Sequence, residues 1–318
     1  MKPIRMCYVG MFDLPSDCEN WIANALSRAG VLVYRWQRKI MDMFTLNSYL
    51  DFKAFLSFIK QYNINVVLFN KAPEIQLEWI NELNNNDVRV VWWTFDSMNQ
   101  PGIRDWFISL AKMSDICFMT DGIDEDNFYA QNRINRVELH QGFAPMIHRP
   151  IVRADSPYIN DIVFLGSSYT GQRKELIEFL TSTYGDKFKH YGDHNALHSG
   201  LWGEDFCHCV TSSKIIVGDN FVNTIPGYWS DRVYLTLACR GFFITHYVKG
   251  LENEFENHKD LVWWNNFRDL QSSIDYYLNP KNEFERNIIT LNGMRLVTVR
   301  DSYDNRIQIF LKHLKELL

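Results

Sequence analysis

The stretch Ile225-Pro-Gly-Tyr-Trp-Ser-Asp-Arg-Val-Tyr-Leu-Thr-Leu-Ala-Cys-Arg-Gly-Phe-Phe-Ile-Thr245 joins a polar loop, a predicted helix and an apolar strand. The helix follows Ser230-Asp231-Arg232, ends at Gly241 and leads directly into the strand. At the carboxyl end of a buried sheet, a helix start presents free backbone N–H groups to an anion, and Arg232 adds a planar fork suited to phosphate or carboxylate. The stretch therefore predicts an α/β protein that binds a nucleotide or another phosphorylated ligand, and it leaves the reaction open.

Short apolar runs alternate with amphipathic segments along almost the whole chain, which is typical of βα units and a parallel sheet. The strands predicted in the first half are Ile4–Val9, Val31–Tyr34, Val66–Phe69, Val88–Trp93, Ile116–Met119 and Arg136–Leu139. The strands predicted in the second half are Ile162–Leu165, Phe188–Tyr191, Ile215–Val217, Phe242–Thr245 and Leu261–Trp264.

The alternation breaks at Gly142–Pro150, where a glycine and two prolines lie in a segment without periodicity, as in a linker. A chain of 318 residues is long enough for two domains of roughly 150 residues each. We therefore predict an acceptor-side domain over 1–150 and a donor-binding domain over 151–318, with a ligand cleft between them. The last predicted helix, with apolar positions from Tyr303 to Leu317, is able to pack back on the first domain.

The composition favours a folded, soluble, cytoplasmic protein. Hydrophobic residues make up 46% of the chain and aromatic residues 15%, which is enough to bury two cores. A net charge of −5 weakens the case for a nucleic-acid partner without excluding one. The six cysteines are scattered, as expected of reduced thiols. We find neither a signal peptide nor a transmembrane segment, since no apolar run approaches about 20 residues.

A second strand, turn and helix start lies at Ile162–Lys174, with Gly166 in the turn and Arg173 at the start of the helix. Gly166 lets a ligand approach the backbone, the serines at 167 and 168 can form hydrogen bonds, and Arg173 can neutralise a phosphate. The alternative is an ordinary βα turn with a solvated basic pair. Gly218-Asp219-Asn220 ends a neighbouring predicted strand and should face the same ligand, whereas Lys214 is better explained as a charge that flanks that strand.

Two groups of metal-ligating residue types give weak signals. His190, His194 and His198 would share one face of a helix, but glycines at 192 and 200 interrupt it, so we predict a polar loop there. Cys207-His-Cys209 has no partner cluster elsewhere in the sequence. We predict no metal site.

In the first domain Val90-Val-Trp-Trp-Thr-Phe-Asp96 is a buried strand that delivers Asp96 at its carboxyl end. A carboxylate in that position either takes the proton of a hydroxylated acceptor or caps the helix that is predicted to start near Pro101. Gly10 ends the first strand and admits either a ligand or a closely packed helix. Trp92 and Trp93 are better explained as core residues than as a stacking platform.

Several motifs of the second half occur in a characteristic order. They are Ile162-Val-Phe-Leu-Gly-Ser-Ser with Arg173, Ser230-x-Arg232 with the helix Val233–Cys239, Gly250-Leu-Glu-Asn-Glu-Phe255, Leu261-Val-Trp-Trp, Asp269-Leu270, Ile274-x-Tyr276-Tyr277-Leu278 and Asp301-Ser-Tyr-Asp-Asn-Arg306. Over most of residues 160–312 this order resembles the donor domain of spore-maturation CgeB-like glycosyltransferases, a group-1 type family. The first half resembles the family in outline, through Trp93-x-x-Asp96 and the linker His140–Pro150.

The resemblance implies the GT-B fold, in which two Rossmann-like domains with parallel sheets face a central cleft. It implies transfer of a sugar from a nucleotide-sugar to a hydroxyl acceptor, with no cofactor and no divalent metal. It assigns to donor binding Gly166, Ser167, Ser168, Arg173, Lys174, Asn220, Tyr228, Ser230, Asp231, Arg232 and Glu252. It implies that positive side chains stabilise the departing diphosphate, which are Arg232 and Arg173 here. The strand-end positions of Asp96 and Gly10 place both on the acceptor side, and Asp96 is the catalytic candidate beside Arg232.

One departure from the family pattern concerns two glutamates, which Gly227 and Leu235 replace in this chain. Two further functions therefore stay open beside transfer. One is a nucleotide- or sugar-binding protein without turnover, and the other is a nucleotide-sugar hydrolase or epimerase. The acceptor could be a glycan, a small molecule, a protein or a modified nucleic acid, and the donor sugar is either a hexose or a pentose.

Overall fold

The structure is a computed structural model that describes residues 3–37, 52–70, 72, 75–97, 104–122, 124, 127–167, 171–192 and 198–318. The chain forms two compact units. One comprises Met1–His140 together with Tyr303–Leu318, and the other comprises Gln141–Ser302. The structure thus divides the chain ten residues before the boundary predicted at 150/151 and groups the last helix with the first unit.

The first unit is built on a parallel sheet that contains six strands in its described residues. The strands are β1 (Arg5–Gly10), β2 (Leu32–Gln37), β3 (Val66–Phe69), β4 (Arg89–Thr94), β5 (Ile116–Met119) and β6 (Arg136–Glu138), in the order β2-β1-β3-β4-β5-β6. The helices between them are α1 (Cys18–Arg28), α2 (Phe52–Gln61), α3 (Leu77–Asn85), α4 (Arg104–Met113) and α5 (Phe128–Gln131).

The second unit repeats this organisation, again with six described strands in one parallel sheet. The strands are β7 (Ile162–Leu165), β8 (Phe188–Gly192), β9 (His198–Ser199), β10 (Ile215–Gly218), β11 (Phe243–His246) and β12 (Val262–Trp264), in the order β12-β11-β10-β7-β8-β9. The helices are α6 (Gly171–Tyr184), α7 (Gly203–Ser212), α8 (Arg232–Ala238), α9 (Phe267–Leu278) and α10 (Glu283–Arg300). The chain then ends with α11 (Tyr303–Lys315) in the first unit.

The central strands are apolar along their whole length because helices cover both faces of each sheet. All four residues of β3, β5, β7 and β10 are buried. Neighbouring residues of β4 point to opposite faces: Trp92 stacks on Phe69 at 4.9 Å between ring centroids, and Trp93 packs on Phe310 of α11 at 5.9 Å. Both tryptophans are therefore core residues, as predicted.

In each sheet the first strand lies in the interior, and the chain extends the sheet on one side of it before crossing to the other. The order reverses between β1 and β3 in the first unit and between β7 and β10 in the second. Open α/β sheets bind ligands at such a reversal, outside the carboxyl ends of the strands. Each unit therefore has one edge position at which a site is expected.

Within the described part of the chain, none of the helices has both the length and the apolar character needed to cross a membrane.

His148 is a buried histidine in the second unit, and its burial makes the stability of the fold depend on pH. Its Nδ1 accepts a hydrogen bond from the Ala144 N–H at 3.1 Å, so the ring is neutral in the fold. Burial lowers its pKa from 6.5 to about 4.

Between pH 6.5 and 4 the unfolded chain binds a proton at His148 that the folded chain does not. We therefore expect this residue to lower the free energy of unfolding by about 1.4 kcal/mol for each pH unit of acidification in that window. His148→Asn keeps an acceptor for Ala144 and removes the titration, so its stability, measured by urea unfolding from pH 7 to 4, should fall less steeply than that of the parent. An equal slope in the parent and in His148→Asn would contradict the prediction.

Candidate anion-binding site in the second unit

Arg173 contacts the residues that follow β7 and β10, the two strands between which the strand order of the second sheet reverses. It is the third residue of α6 and is only 5% exposed. Its Nη1 donates to Ser167 Oγ at 3.4 Å, just beyond β7, and its Nη2 donates to the Asp219 carbonyl at 3.0 Å, just beyond β10. A positive charge is thus held at the position where an α/β sheet binds its ligand.

Arg232, the first residue of α8, brings a second guanidinium group to the same edge. It lies against Gly166, where a Cβ atom would come within 2.8 Å of Arg232 Nη2. Gly166 also has a φ of +151°, in the region that favours glycine. The backbone conformation of the turn after β7 therefore favours glycine, and the missing side chain leaves the space in which the Arg232 guanidinium lies.

The two guanidinium groups raise each other's electrostatic energy. Burial, followed by the nearby charge of Arg232, lowers the pKa of Arg173 to about 10. Among the described residues neither arginine forms an ion pair, and Arg173 Nε has no hydrogen-bond partner there. The one buried carboxyl beside them, that of Asp219, has its pKa raised by burial. A bound anion would lower the electrostatic energy of this arrangement, because it compensates the charges of both guanidinium groups at once.

Asn220 positions the loop that carries Arg232. Its Oδ1 accepts from the Ser230 N–H at 2.8 Å, and its Nδ2 donates to Asn223 Oδ1 at 2.9 Å. Within the same loop Gly227 has a φ of +71° and donates its N–H to the Lys249 carbonyl at 2.7 Å. The glutamate expected at 227 from the family pattern would be strained in this conformation.

A cavity of about 460 Å³ opens between the turn after β7 and the start of α8, where Arg232 lines it. Its polar end contains Ser167, Asp231 and Arg232. Its apolar wall contains Leu165, Tyr191, Leu201, Trp202, Phe206 and Leu235. A polar end joined to an apolar and aromatic wall suits a ligand that has an anionic group next to a ring, because each part meets a matching surface. Leu235, which replaces the second expected glutamate, lies in that wall.

Four residues of the wall were not identified from the sequence: Tyr191, Leu201, Trp202 and Phe206. They belong to β8, to α7 and to the segment that precedes α7, and no motif or spacing links them to the loops after β7 and β10. The exposed indole of Trp202, at 72% of its free surface, is a signal that only a structure can give.

His190 lies on strand β8, within the strand predicted over Phe188–Tyr191, and its Nε2 is 2.8 Å from the Gly166 carbonyl oxygen. It therefore supports the turn that faces Arg232. His194 lies outside the described residues, and within those residues no group of three or more His, Cys, Asp or Glu side chains could hold a metal ion.

The other residues predicted to bind the donor do not all lie beside Arg173 and Arg232. Ser168 lies outside the described residues. Lys174 is 70% exposed and pairs with Glu178 at 3.8 Å, and Tyr228 is buried. Glu252 accepts a hydrogen bond from the Gly250 N–H and lines another cavity, of about 550 Å³.

Lys214, at the amino end of β10, pairs with Asp161 at 2.6 Å, in agreement with a flanking charge.

In the first unit, the two predicted acceptor-side residues lie at or just beyond the ends of strands of the sheet. Gly10 ends β1, and a Cβ atom there would lie 2.8 Å from Glu19 Cγ, so this glycine makes room for the Glu19 side chain of α1. Asp96 lies two residues beyond β4 and is half-buried. The helix start predicted near Pro101 lies outside the described residues, and α4 begins at Arg104.

Residues 172–312, less than half of the chain, match the profile of the family described as Glycosyl transferase-like. No protein with a curated description matches the sequence.

Solved structures match over nearly the whole chain at low sequence identity. A glycosyltransferase from Rickettsia africae is 13% identical with a TM-score of 0.66, and the match covers 99% of both chains. Sucrose-phosphate synthase from Thermosynechococcus elongatus is 10% identical with a TM-score of 0.68, again over 99% of both. HepE from Anabaena, in complex with UDP-glucose, is 9% identical with a TM-score of 0.71, over 98% of this chain and all of that one.

These matches confirm the predicted fold class: the protein is an α/β protein with the GT-B fold. Residues 172–312 are therefore similar to a glycosyltransferase-like family, and the chain shares its fold with solved glycosyltransferase structures. The CgeB-like subgroup stays a prediction.

The contacts of Asn220 predict how the Arg232 loop responds to mutation. Asn220→Ala removes the buried acceptor of the partly buried Ser230 N–H, so we expect a loss of about 1–3 kcal/mol in unfolding free energy and faster amide exchange over residues 225–231. Asn220→Asp keeps that acceptor and should exchange at an intermediate rate. Hydrogen exchange with mass spectrometry measures both, and unchanged exchange in Asn220→Ala would show that other contacts hold the loop.

Proposed function

We propose that this protein is a glycosyltransferase that moves a sugar from a nucleotide-sugar to a hydroxyl acceptor. The observation that carries the proposal is the pair of guanidinium groups, Arg173 and Arg232, at the strand-order reversal of the second sheet. A diphosphate is the group that two converging cations beside a glycine turn suit best. The apolar wall next to them is suited to a nucleoside.

Transfer would break the bond between the anomeric carbon of the sugar and the diphosphate oxygen, and the electron pair would leave with the diphosphate. The acceptor oxygen would form the new bond to that carbon and lose its proton. Arg173 and Arg232 would stabilise the charge on the departing diphosphate, and fixed cations of this kind contribute to the rate without reorganisation. With side chains in this role the reaction needs no divalent metal, so turnover should persist in EDTA.

Known complexes suggest the probes. HepE, which has the same fold, is described with UDP and with UDP-glucose. We propose a hexose nucleotide of this kind as donor, and a cytoplasmic location, which is consistent with the free thiol state of all six cysteines.

Arg232→Gln should weaken UDP binding, because it removes a charge-assisted contact worth about 1.5–3 kcal/mol, which is roughly 10- to 150-fold in affinity. Arg240→Gln is the matched control: it makes the same charge change two residues beyond the other end of α8, on an exposed side chain. Titration calorimetry with UDP, and thermal shift with UDP-glucose, measure the effect. Equal affinities of the two variants would remove Arg232 from the site, and no binding by the parent would overturn the proposal.

Leu235 is the reason to test two other functions beside transfer, namely donor binding without turnover and hydrolysis or epimerisation of the donor. It places an apolar side chain in the cavity wall where the family pattern has a glutamate. Product analysis with radiolabelled UDP-glucose separates three outcomes. A new glycoside supports transfer, free glucose or an epimer indicates hydrolysis or epimerisation, and unchanged donor in the presence of tight UDP binding indicates a binding protein.

Asp96 is the candidate for a second catalytic role, in the first unit. If it takes the acceptor proton, Asp96→Asn should lower kcat by about 10²–10⁴-fold with unchanged UDP affinity, because the amide keeps the size and removes the basicity. If Asp96 only orients the acceptor, KM for the acceptor should rise while kcat is little changed. Parental kcat and KM in the variant would leave Asp96 without a role in the reaction.

A further inference from the structure

The first unit has its own strand-order reversal, between β1 and β3, and a carboxyl group and an amide group meet there. Glu19, in the first turn of α1, extends over Gly10 at the end of β1. Its Oε1 accepts a hydrogen bond at 3.0 Å from Nδ2 of Asn70, the residue directly after β3. The two side chains thus span the position at which this class of sheet binds ligands.

The positions of Gly10, Glu19 and Asn70 fit together sterically and through hydrogen bonds. The missing side chain of Gly10 provides the space that Glu19 occupies, since a Cβ atom would approach Glu19 Cγ to 2.8 Å. Asn70 is buried, with its own N–H bonded to the Val9 carbonyl at 3.3 Å, so its amide group has a defined place. Glu19 is partly exposed. The pair therefore combines a fixed inner member with an outer member that a ligand can reach.

The charge around Glu19 favours a neutral ligand. No ion pair joins it to a cation among the described residues, and burial raises the pKa of its carboxyl. The neighbouring titratable groups are Cys18, whose Sγ is 3.3 Å from Glu19 Oε2, together with Tyr8 and Asp17. A carboxyl group in such surroundings repels anions, while a hydroxyl can donate to it without bringing a second charge out of water.

We propose that Glu19 and Asn70 form a binding site for a hydroxyl group of a neutral, polyhydroxylated ligand, with the Glu19 carboxylate accepting the hydrogen bond from that hydroxyl. This site is distinct from the cationic site of the second unit and has the opposite chemistry. The identity of the ligand as the sugar acceptor rests on the proposed transfer function; the site itself does not.

The test uses the full chain labelled with ¹³C at the glutamate carboxyl carbons, with the Glu19 resonance assigned by its loss in Glu19→Gln. The probes are the methyl glycosides of glucose, galactose, mannose and N-acetylglucosamine. We expect at least one of them to shift the Glu19 resonance in a saturable manner. Asn70→Ala and Gly10→Ala, which remove the amide and crowd the Glu19 side chain, should each weaken that glycoside by about tenfold, the equivalent of one hydrogen bond.

The matched control is Glu82→Gln. Glu82 lies on α3 and also accepts from an asparagine amide, Asn86 Nδ2 at 3.1 Å, but the pair is exposed on the helix surface. This variant should bind the glycoside as the parent does. The thermal unfolding transition is measured on every variant to show that the chain is folded, and UDP binding is measured separately.

The outcomes separate this site from the proposed function. A saturable shift that is lost in Asn70→Ala, in a chain that binds UDP, supports both. The same shift in a chain that does not bind UDP supports the hydroxyl site and overturns the transfer proposal. UDP binding with no response of Glu19 to any of the four glycosides overturns the hydroxyl site alone.

Discussion

The buried guanidinium of Arg173 is the interaction on which the site of the second unit depends. It connects the ends of β7 and β10 through Ser167 and Asp219, and these are the strands between which the sheet reverses. A cation with so little exposure is costly to bury, and the nearby charge of Arg232 adds to that cost, as the lowered pKa of Arg173 indicates. Such an arrangement contributes little to stability, and perturbed pKa values of this kind are common at functional sites, which is the basis of the proposed anion binding.

The glycines around this centre follow from the positions of the charged groups. Gly166 lets Arg232 lie against the turn after β7, and Gly227 gives the loop before α8 a left-handed backbone. The replacement of a glutamate by Gly227 is therefore part of the way in which this loop folds. Leu235 differs, because it extends the apolar wall of the cavity and so changes the surface offered to the ligand.

The two units show how one topology supports two kinds of chemistry. Both sheets place their first strand inside, and both have polar side chains at the resulting reversal. In the second unit these are guanidinium groups that suit an anion, and in the first unit they are a carboxyl and an amide that suit a neutral hydroxyl. The residues after each strand, rather than the strands themselves, make the difference, since the strands only bring the loops to one edge.

The sequence by itself determined the strands and the polar segments that follow them. The runs Val66–Phe69, Ile116–Met119 and Ile162–Leu165 were predicted with the bounds that the structure has, because a strand buried on both faces is apolar throughout and its ends are marked by polar residues. The two-residue strand β9 was missed, since so short a segment carries no alternation.

Only the tertiary structure decided which polar residues meet. Some contacts bring together residues that lie far apart in sequence: Arg173 with Arg232, His190 with Gly166, and Glu19 with Asn70. Elsewhere the structure separates neighbours that share a local pattern, since Arg173 is buried whereas Lys174 is exposed. Local periodicity does not encode strand order, and strand order determines which loops lie side by side. The chemistry of the loops could therefore be predicted from the sequence, whereas their combination into sites could not.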